Sequence, residues 1–261
     1  MSGRSLTRLA TGLVLAILAT PSGAADGLSV LMSGGFALAY RAVLPEFERD
    51  TGISVTTLSG ASQGTGPQTV KAQLERGVEA DVVILSENGL DELASAGRVA
   101  AGSRVDLARV PLGAAVRQGT STPDITTVEA LTRTLTGARL LVMPGSTSGL
   151  FMTREVFPKL AIADRVTWKT VPRGTDATGM LAAGEADLVV GPLSELVDQP
   201  GVTLVGPLPR EVQLEQVFTA AIVQTSRRPE VGRRLIAFLG SERAASAIRR
   251  AGMEPVGARA R

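Results

Sequence analysis

The stretch Leu28-Ser-Val-Leu-Met-Ser-Gly-Gly-Phe-Ala-Leu-Ala-Tyr40 decides the fold of this chain. Its apolar start predicts a β-strand, and the small residues 33–35 predict a tight turn directly after it. Apolar side chains then recur at helical spacing, at Phe36, Tyr40, Val43, Leu44 and Phe47. A strand, a short turn and a helix start leave backbone N–H groups free to bind an anion. The stretch therefore predicts an α/β fold with an anion site at Ser33, Gly34 and Gly35.

The first 25 residues predict a cleaved secretion signal. Arg4 and Arg8 give the positive start, residues 9–20 the apolar core, and residues 21–25 the small side chains that suit cleavage. The apolar run is short for a membrane span, and an uncleaved anchor is the alternative. The chain has no cysteine, which excludes a lipid anchor on cysteine and any disulfide. We expect a periplasmic protein.

Composition narrows the function further. The chain has 27 Lys and Arg against 25 Asp and Glu, and two of the positive residues lie in the predicted signal. The remainder is balanced in charge and has no basic run interleaved with aromatics, so we expect no nucleic-acid partner. Without histidine or cysteine, a Ser-His-Asp triad, a cysteine nucleophile and the usual zinc sites are excluded. We expect a binding protein rather than an enzyme, with no metal or cofactor.

The order of predicted elements indicates two lobes. Apolar strands alternate with helical patterns from residue 28 to residue 240, which is typical of an α/β protein with a mostly parallel sheet. Apolar runs near 110–116 and 217–223 are predicted to cross between lobes. We predict a first lobe from residues 26–110 and 224–261, a second from residues 115–216, and hinge strands at 111–114 and 217–223. A monomer is expected.

Polar turns after other predicted strands extend the candidate site. Ser62 and Gly64 follow the second strand, Ser146, Thr147 and Ser148 follow the strand at 139–143, and Thr175 lies near a helix start. Tight turns, a solvated loop and helix caps are the structural alternatives for these residues.

Arginines bear on the chemistry of the ligand. Neutral donors alone suffice for a compact tetrahedral anion, whereas a di- or tricarboxylate favours arginine forks. Arg117 follows the first crossing strand and Arg173 precedes a predicted helix, although either is also explained as a solvated surface charge. The residues leave the choice of ligand open.

The order of several short motifs resembles a known family. The motifs are Leu-Met-Ser-Gly-Gly-Phe (31–36), Glu-Arg-Asp-Thr-Gly-Ile-Ser-Val (48–55), Gly-Ala-Ser-Gln-Gly-Thr-Gly (60–66), Ala-Asp-Val-Val-Ile-Leu (80–85), Ala-Gly-Glu-Ala-Asp-Leu (183–188) and Ala-Phe-Leu-Gly-Ser (237–241). Across residues 26–261 the chain resembles the solute-binding proteins of ABC transporters, in particular the molybdate/tungstate-binding branch. The resemblance implies a type II periplasmic binding fold, in which two α/β lobes are joined by two crossing strands and the ligand lies in the cleft. It also implies hydroxyl and backbone N–H contacts, at positions matching Ser33, Ser62, loosely Ser146 to Ser148, and close to Thr175.

Two departures separate this chain from the molybdate branch. That branch usually has an Asp-Pro start and a Pro-x-Gly element in the third turn, where this chain reads Met-Pro-Gly-Ser-Thr-Ser-Gly (143–149). It also often has a tyrosine where this chain has Val190-Gly191-Pro192. The resemblance therefore implies the fold but not molybdate specificity, and organic carboxylates stay open as ligands.

The expected function is that of a periplasmic component of an ABC importer. Such a protein captures a small anion by closing its cleft and delivers the anion to a permease in the inner membrane. One alternative is a sensing protein that reports the ligand to a membrane receptor, and a weaker one is an enzyme on the same scaffold.

Overall fold

The computed structural model describes residues 27–257, and the predicted secretion signal at 1–25 lies outside the described residues. Strands and helices alternate along most of this part of the chain. The strands are β1 (Leu28–Met32), β2 (Val55–Ser59), β3 (Val82–Ser86), β4 (Val105–Arg117), β5 (Leu141–Pro144), β6 (Trp168–Val171), β7 (Leu188–Pro192), β8 (Val202–Pro207), β9 (Glu215–Ile222) and β10 (Glu254–Pro255). The helices are α1 (Ala37–Thr51), α2 (Val70–Glu75), α3 (Glu87–Ser95), α4 (Val128–Gly137), α5 (Thr147–Phe151), α6 (Phe157–Lys159), α7 (Gly174–Ala182), α8 (Leu193–Leu196), α9 (Pro229–Leu239) and α10 (Glu242–Arg250).

The strands form two parallel sets that are joined by a pair of long antiparallel strands. The strand order is β2-β1-β3-β9-β4-β7-β5-β6, with β8 and β10 pairing to β4 outside this path. β1, β2 and β3 run parallel and form the sheet of lobe 1, while β5, β6 and β7 run parallel and form that of lobe 2. β4 pairs with β9 in its first half and with β7 and β8 in its second half, so it passes from one lobe into the other.

The hydrophobic core changes lobe within two residues of β4. Val110 packs with Leu28, Ile84 and Phe218 in lobe 1. Leu112, on the same face of the strand, packs with residues of lobe 2 such as Leu188. Between these two side chains the strand leaves one core and enters the other. The separation of the cores is what makes the two halves distinct lobes.

The chain segment quoted first in the sequence forms the start of lobe 1. β1 is buried on both faces, as expected for a central strand of a parallel sheet covered by helices. One 3-10 turn over residues 34–36 comes between β1 and α1, so α1 begins at Ala37 rather than at Phe36 as the spacing predicts. α1 ends at Gly52, whose φ of 70° is the left-handed conformation that glycine adopts at helix ends.

Lobe 2 contains two features that the sequence pattern does not predict. β8 adds to the edge of β4, and the helical segment after α5 contains a π-helical turn over Met152–Val156. Neither changes the order of the parallel strands. None of the helices within residues 27–257 has the length and apolar character needed to cross a bilayer.

Candidate functional site: the cleft between the lobes

A cleft lies where the carboxyl ends of the parallel strands of both lobes meet. In an open α/β sheet this is the edge at which ligands bind. The cavity between the walls is about 30 Å³, room for about one water molecule, so a larger ligand requires the lobes to separate. The residues lining it are Ser33, Gly34, Gly35, Gly60, Ala61 and Ser62 from lobe 1, Pro144, Ser146, Pro172, Arg173, Gly174, Pro192 and Glu195 from lobe 2, and Gln216 and Phe218 from β9.

The turn after β1 forms one wall of the cleft. The backbone N–H of Ser33 donates to the carbonyl of Ile84 at 2.8 Å, which fixes the turn to β3. The Ser33 hydroxyl is buried and has no hydrogen-bond partner within residues 27–257. Gly35 lies against the ring of Phe218, and a Cβ at this position would lie 2.0 Å from Phe218 Cζ. Glycine is therefore required at position 35, because any side chain there would clash with the Phe218 ring that closes this wall. The Ser33 hydroxyl, which has no partner within residues 27–257, is available to a ligand.

A hydrogen-bonded bridge joins the lobes beside the cleft. Thr147 Oγ1, at the start of α5 in lobe 2, lies 2.8 Å from Ser86 Oγ in lobe 1 and donates to Gln63 Oε1 at 2.8 Å. Because a hydroxyl has one proton, Ser86 is the donor to Thr147. Ser62 Oγ in turn accepts from the backbone N–H of Ser86 at 2.9 Å. The bridge holds the lobes together, so Thr147 is occupied in the structure by protein partners.

The other predicted neutral residues are distributed around this bridge. Ser146 lines the cleft. Ser148 is buried, and its hydroxyl has no partner in the part of the chain that the structure describes, but it is not among the lining residues. Gly64 has a φ of 116° and lies at the rim, where a Cβ would come within 2.9 Å of the Gly145 carbonyl. Thr175 is exposed, and its neighbour Gly174 lines the cleft in its place.

The two predicted arginines lie in different parts of lobe 2. Arg173 lines the cleft, and its guanidinium donates to both carboxylate oxygens of Asp176, at 3.1 and 2.8 Å. Arg117 does not line the cleft and has to be removed from the candidate site. β4 runs antiparallel to β7, so the carboxyl end of β4 lies at the edge of lobe 2 away from the cleft. There Arg117 lines a separate depression together with Arg139 and Asp187.

The carboxyl group of Glu195 is the feature of the cleft that the sequence analysis missed. Glu195 lies on the short helix α8, directly after β7, and is partly buried. Its Oε1 is 2.6 Å from the position of a Cβ on Gly34, and its Oε2 is 2.1 Å from that of a Cβ on Gly174. Within residues 27–257 no hydrogen bond or ion pair reaches this carboxyl, and burial raises its pKa to about 7.

Gln216 was also missed by the sequence analysis. It lies on β9 beside Val110, and its Oε1 is buried without a partner in the described part of the chain. A signal for Glu195 is present in the sequence, because an acidic residue comes five positions after the predicted strand at 188–190, in the segment that follows the strand. Gln216 lies just outside the predicted hinge at 217–223, in a segment with no distinguishing pattern.

The chemistry of the cleft is that of hydrogen bonding and proton transfer. It offers hydroxyl groups, backbone N–H groups at the ends of strands, one guanidinium and one carboxyl with a pKa near neutrality. No cluster of three or more acidic side chains within residues 27–257 is placed to hold a metal ion. These groups suit a small anion, and the carboxyl adds a group able to exchange a proton at neutral pH.

Two α/β lobes, two crossing strands and a polar cleft at the strand ends define a protein of the periplasmic binding class. The sequence profile of the bacterial extracellular solute-binding protein family matches residues 28–254, and the chain belongs to this family. The predicted two-lobed fold and the resemblance to the solute-binding proteins are confirmed.

The names of similar proteins state different functions. An aconitate isomerase from Pseudomonas sp. is 36% identical over 255 residues, which cover 96% of this chain and 97% of the relative. Among solved structures, the sulfate-binding protein of Mycobacterium tuberculosis H37Rv has a TM-score of 0.72 at 20% identity, covering 88% of this chain and 87% of its own. The periplasmic molybdate-binding protein of Azotobacter vinelandii has a TM-score of 0.66 at 20% identity, covering 87% and 98%. At this identity the two structures show the shared fold alone.

Proposed function

We propose that the cleft binds a small organic polycarboxylate of the aconitate class. The observation that carries this proposal is that Arg173 lines a cleft in which the other side-chain donors, such as Ser33 and Gln216, are neutral. Neutral donors alone are enough for sulfate or molybdate, whereas a planar guanidinium fork matches a carboxylate. The full-length relative whose name states that it isomerises aconitate supports the same ligand class.

The donors of the cleft can hold several carboxylates at once. The Ser33 hydroxyl, which has no partner within residues 27–257, and the backbone of Gly34 and Gly35 line the cleft from lobe 1. In lobe 2, Gly174 and Thr175 precede the first hydrogen bond of α7, which the Asp176 N–H makes to the Arg173 carbonyl at 3.1 Å. Within residues 27–257 their N–H groups have no partner and are available to an anion at the positive end of a nine-residue helix. A ligand with carboxylates at both ends would contact both lobes and favour the closed cleft.

We further propose that the protein binds its ligand in the periplasm, as the solute-binding component of an ABC importer. The extracellular solute-binding family supports a small ligand and a membrane transporter as partners. In this proposal a monomer closes at hinges near 111–114 and 217–223 and delivers its ligand to a permease in the inner membrane. A sensing protein that reports to a membrane receptor would use the same cleft, and interaction with a permease separates the two roles.

A second candidate function is isomerisation of the bound polycarboxylate. The specific observation that favours it is the carboxyl of Glu195 inside the cleft, on a chain 36% identical to an aconitate isomerase. The absence of histidine and cysteine, from which the sequence analysis expects a binding protein, does not exclude a reaction that needs one carboxyl.

The test is a binding panel on the protein exported to the periplasm and purified from it. Mass spectrometry of its N-terminus checks the predicted cleavage near residue 25. Calorimetry and thermal unfolding then compare cis-aconitate, trans-aconitate, citrate and isocitrate with molybdate, tungstate, sulfate and phosphate. A ligand at 100 times its Kd adds about 2.7 kcal/mol to the free energy of unfolding. We expect this with aconitate; stabilisation by the inorganic oxyanions alone would overturn the proposed ligand class.

A further inference from the structure

Among the described residues that line the cleft, Glu195 alone carries a carboxyl group. It lies between the two lobes, where its two oxygens occupy the space that side chains at Gly34 and Gly174 would need. Glycine at both positions lets the carboxyl reach the centre of the cleft. The group is therefore built into the site, not placed on its rim.

This carboxyl works against simple capture of an anion. A carboxylate repels an anionic ligand, and within residues 27–257 no cation or hydrogen-bond donor compensates it. It does not cap a helix either, because it is the third residue of the four-residue α8. In its ionised form the group opposes the binding of a polycarboxylate, which points to a role in chemistry.

We propose that Glu195 is a catalytic residue that carries the proton during isomerisation of the polycarboxylate bound in the cleft. This inference rests on the proposed function, since it requires an aconitate-class ligand to lie against the Glu195 carboxyl. Glu195 acts first as a general base and then, in its protonated form, as a general acid. Arg173, Ser33 and the free N–H groups hold the carboxylates of the substrate.

The reaction is a shift of one proton along three carbons. Aconitate has a methylene group next to its carbon–carbon double bond. Glu195 takes a proton from the methylene carbon, and the electron pair of the broken C–H bond spreads over the three carbons and their carboxylates. The protonated Glu195 returns the proton to the carbon at the other end, and the double bond forms at the former methylene carbon.

The product has the same connectivity as the substrate. Each terminal carbon of the three-carbon unit carries one carboxylate, so the shift changes only the geometry about the double bond. That geometry is set by the conformation in which the cleft holds the single bond of the substrate. The step consumes and releases no water, electron or co-reactant.

The environment of Glu195 suits both halves of this step. Burial raises the pKa of its carboxyl to about 7, so the ionised and protonated forms are both populated at neutral pH. A general acid or base works best when its pKa lies near the working pH. An ordinary exposed glutamate would be too weak a base and would seldom hold the proton it must return.

The experiment measures isomerisation and binding separately in the same full-chain samples. Proton NMR follows conversion of cis- to trans-aconitate and deuterium uptake in D2O, while calorimetry gives Kd. The variants are Glu195→Gln and Glu195→Asp, with Glu185→Gln as the matched control. Glu185 is an exposed carboxyl of the same lobe, before β7 and outside the cleft.

The proposal predicts that wild type and Glu185→Gln isomerise aconitate at the same rate. Glu195→Gln should lose about 100- to 10,000-fold in rate and bind aconitate as tightly as wild type or more tightly, since a repelling charge is gone. If Glu195→Gln does not fold, the rate of the wild type must still rise about tenfold per pH unit below 7 and level off above it, with Glu195→Asp retaining part of it.

Unchanged isomerisation in Glu195→Gln would overturn the proposal. Binding of aconitate by the wild type without isomerisation or deuterium uptake would also overturn it, while leaving the proposed binding function intact. Failure of the wild type to bind aconitate would instead remove the proposed function on which the inference rests.

Discussion

The Oε1 atom of Glu195, in lobe 2, lies 2.6 Å from the position that a Cβ on Gly34, in lobe 1, would take. No heavy atom bonded to Gly34 could be accommodated there without moving the carboxyl. The approach of α8 to the turn after β1 therefore depends on a residue without a side chain. Gly174 has the same relationship to the other carboxylate oxygen, so two glycines from different lobes define the space that Glu195 occupies.

Substitution of Gly174 by alanine should destabilise the protein or displace Glu195. The new Cβ would lie 2.1 Å from Glu195 Oε2 and 2.5 Å from its Cδ, and overpacking of this kind costs about 1–3 kcal/mol. Gly179→Ala is the control in the same helix, because nothing lies within 4 Å of its added Cβ. A Gly→Ala change at such a site stabilises by about 0.4–1 kcal/mol. Urea unfolding of both variants measures the difference, and a Gly174→Ala protein that is as stable as Gly179→Ala and keeps Glu195 in its wild-type position would contradict this packing.

The free energy of unfolding should depend on pH through Glu195. Its pKa is raised from 4.5 to about 7 in the folded state, so the unfolded chain releases this proton at lower pH than the folded chain does. The wild type should therefore lose stability relative to Glu195→Gln as the pH rises from about 4.5 to 7, by about 3 kcal/mol at most. Above pH 7 the difference in free energy of unfolding between wild type and Glu195→Gln should stay constant.

Urea unfolding at a series of pH values measures this dependence. Glu185→Gln, at an exposed position outside the cleft, is the control for the substitution itself. A constant difference between wild type and Glu195→Gln from pH 4.5 to 8 would show that the carboxyl has an ordinary pKa.

Much of the fold follows from local pattern. Apolar strands followed by small polar turns identify residues 33–35, 62 and 146, and the structure brings all of them to the cleft. They can be found from sequence because each lies within three residues of the carboxyl end of a parallel strand. The signal is local, and the ends of parallel strands meet at one edge of a sheet.

Residues placed by long-range pairing could not be found in this way. Arg117 follows an apolar strand just as Ser33 does, but β4 runs antiparallel to β7, so its carboxyl end lies away from the cleft. The direction of β4 depends on pairing between residues about 75 positions apart in sequence, such as Ala115 and Val189. Gln216 reaches the site through the pairing of β9 with β4, which no local pattern shows.

Removal of the Thr147 hydroxyl should loosen the closed arrangement of the lobes. Thr147→Val deletes the hydrogen bonds to Ser86 and Gln63, and each such bond contributes about 0.5–1.5 kcal/mol. The ligand-free variant should then populate a more open form with a larger radius of gyration, and should bind aconitate more weakly. Small-angle scattering with and without aconitate measures both states.

Thr153→Val provides the control for Thr147. Its hydroxyl donates to the Gly149 carbonyl at 2.8 Å, within the same helical segment and without contact to lobe 1. This variant should keep the radius of gyration of the wild type. If wild type, Thr147→Val and Thr153→Val had equal radii of gyration both with and without aconitate, the hydrogen-bonded bridge would not control opening of the cleft.

Arg173 should distinguish carboxylate binding from binding of a compact oxyanion. Arg173→Ala should weaken aconitate binding by about tenfold, because the guanidinium that can turn from Asp176 to a ligand carboxylate is removed. Arg173→Lys keeps the charge but loses the planar fork, so it should bind with intermediate affinity.

Arg117→Ala is the control, since Arg117 lies at the opposite edge of lobe 2 and its removal should change the Kd by less than about twofold. Calorimetry at two salt concentrations tests this order. Equal losses for Arg117→Ala and Arg173→Ala would point to general attraction of the anion by lobe 2, whereas a loss confined to position 173 would indicate a direct contact in the cleft.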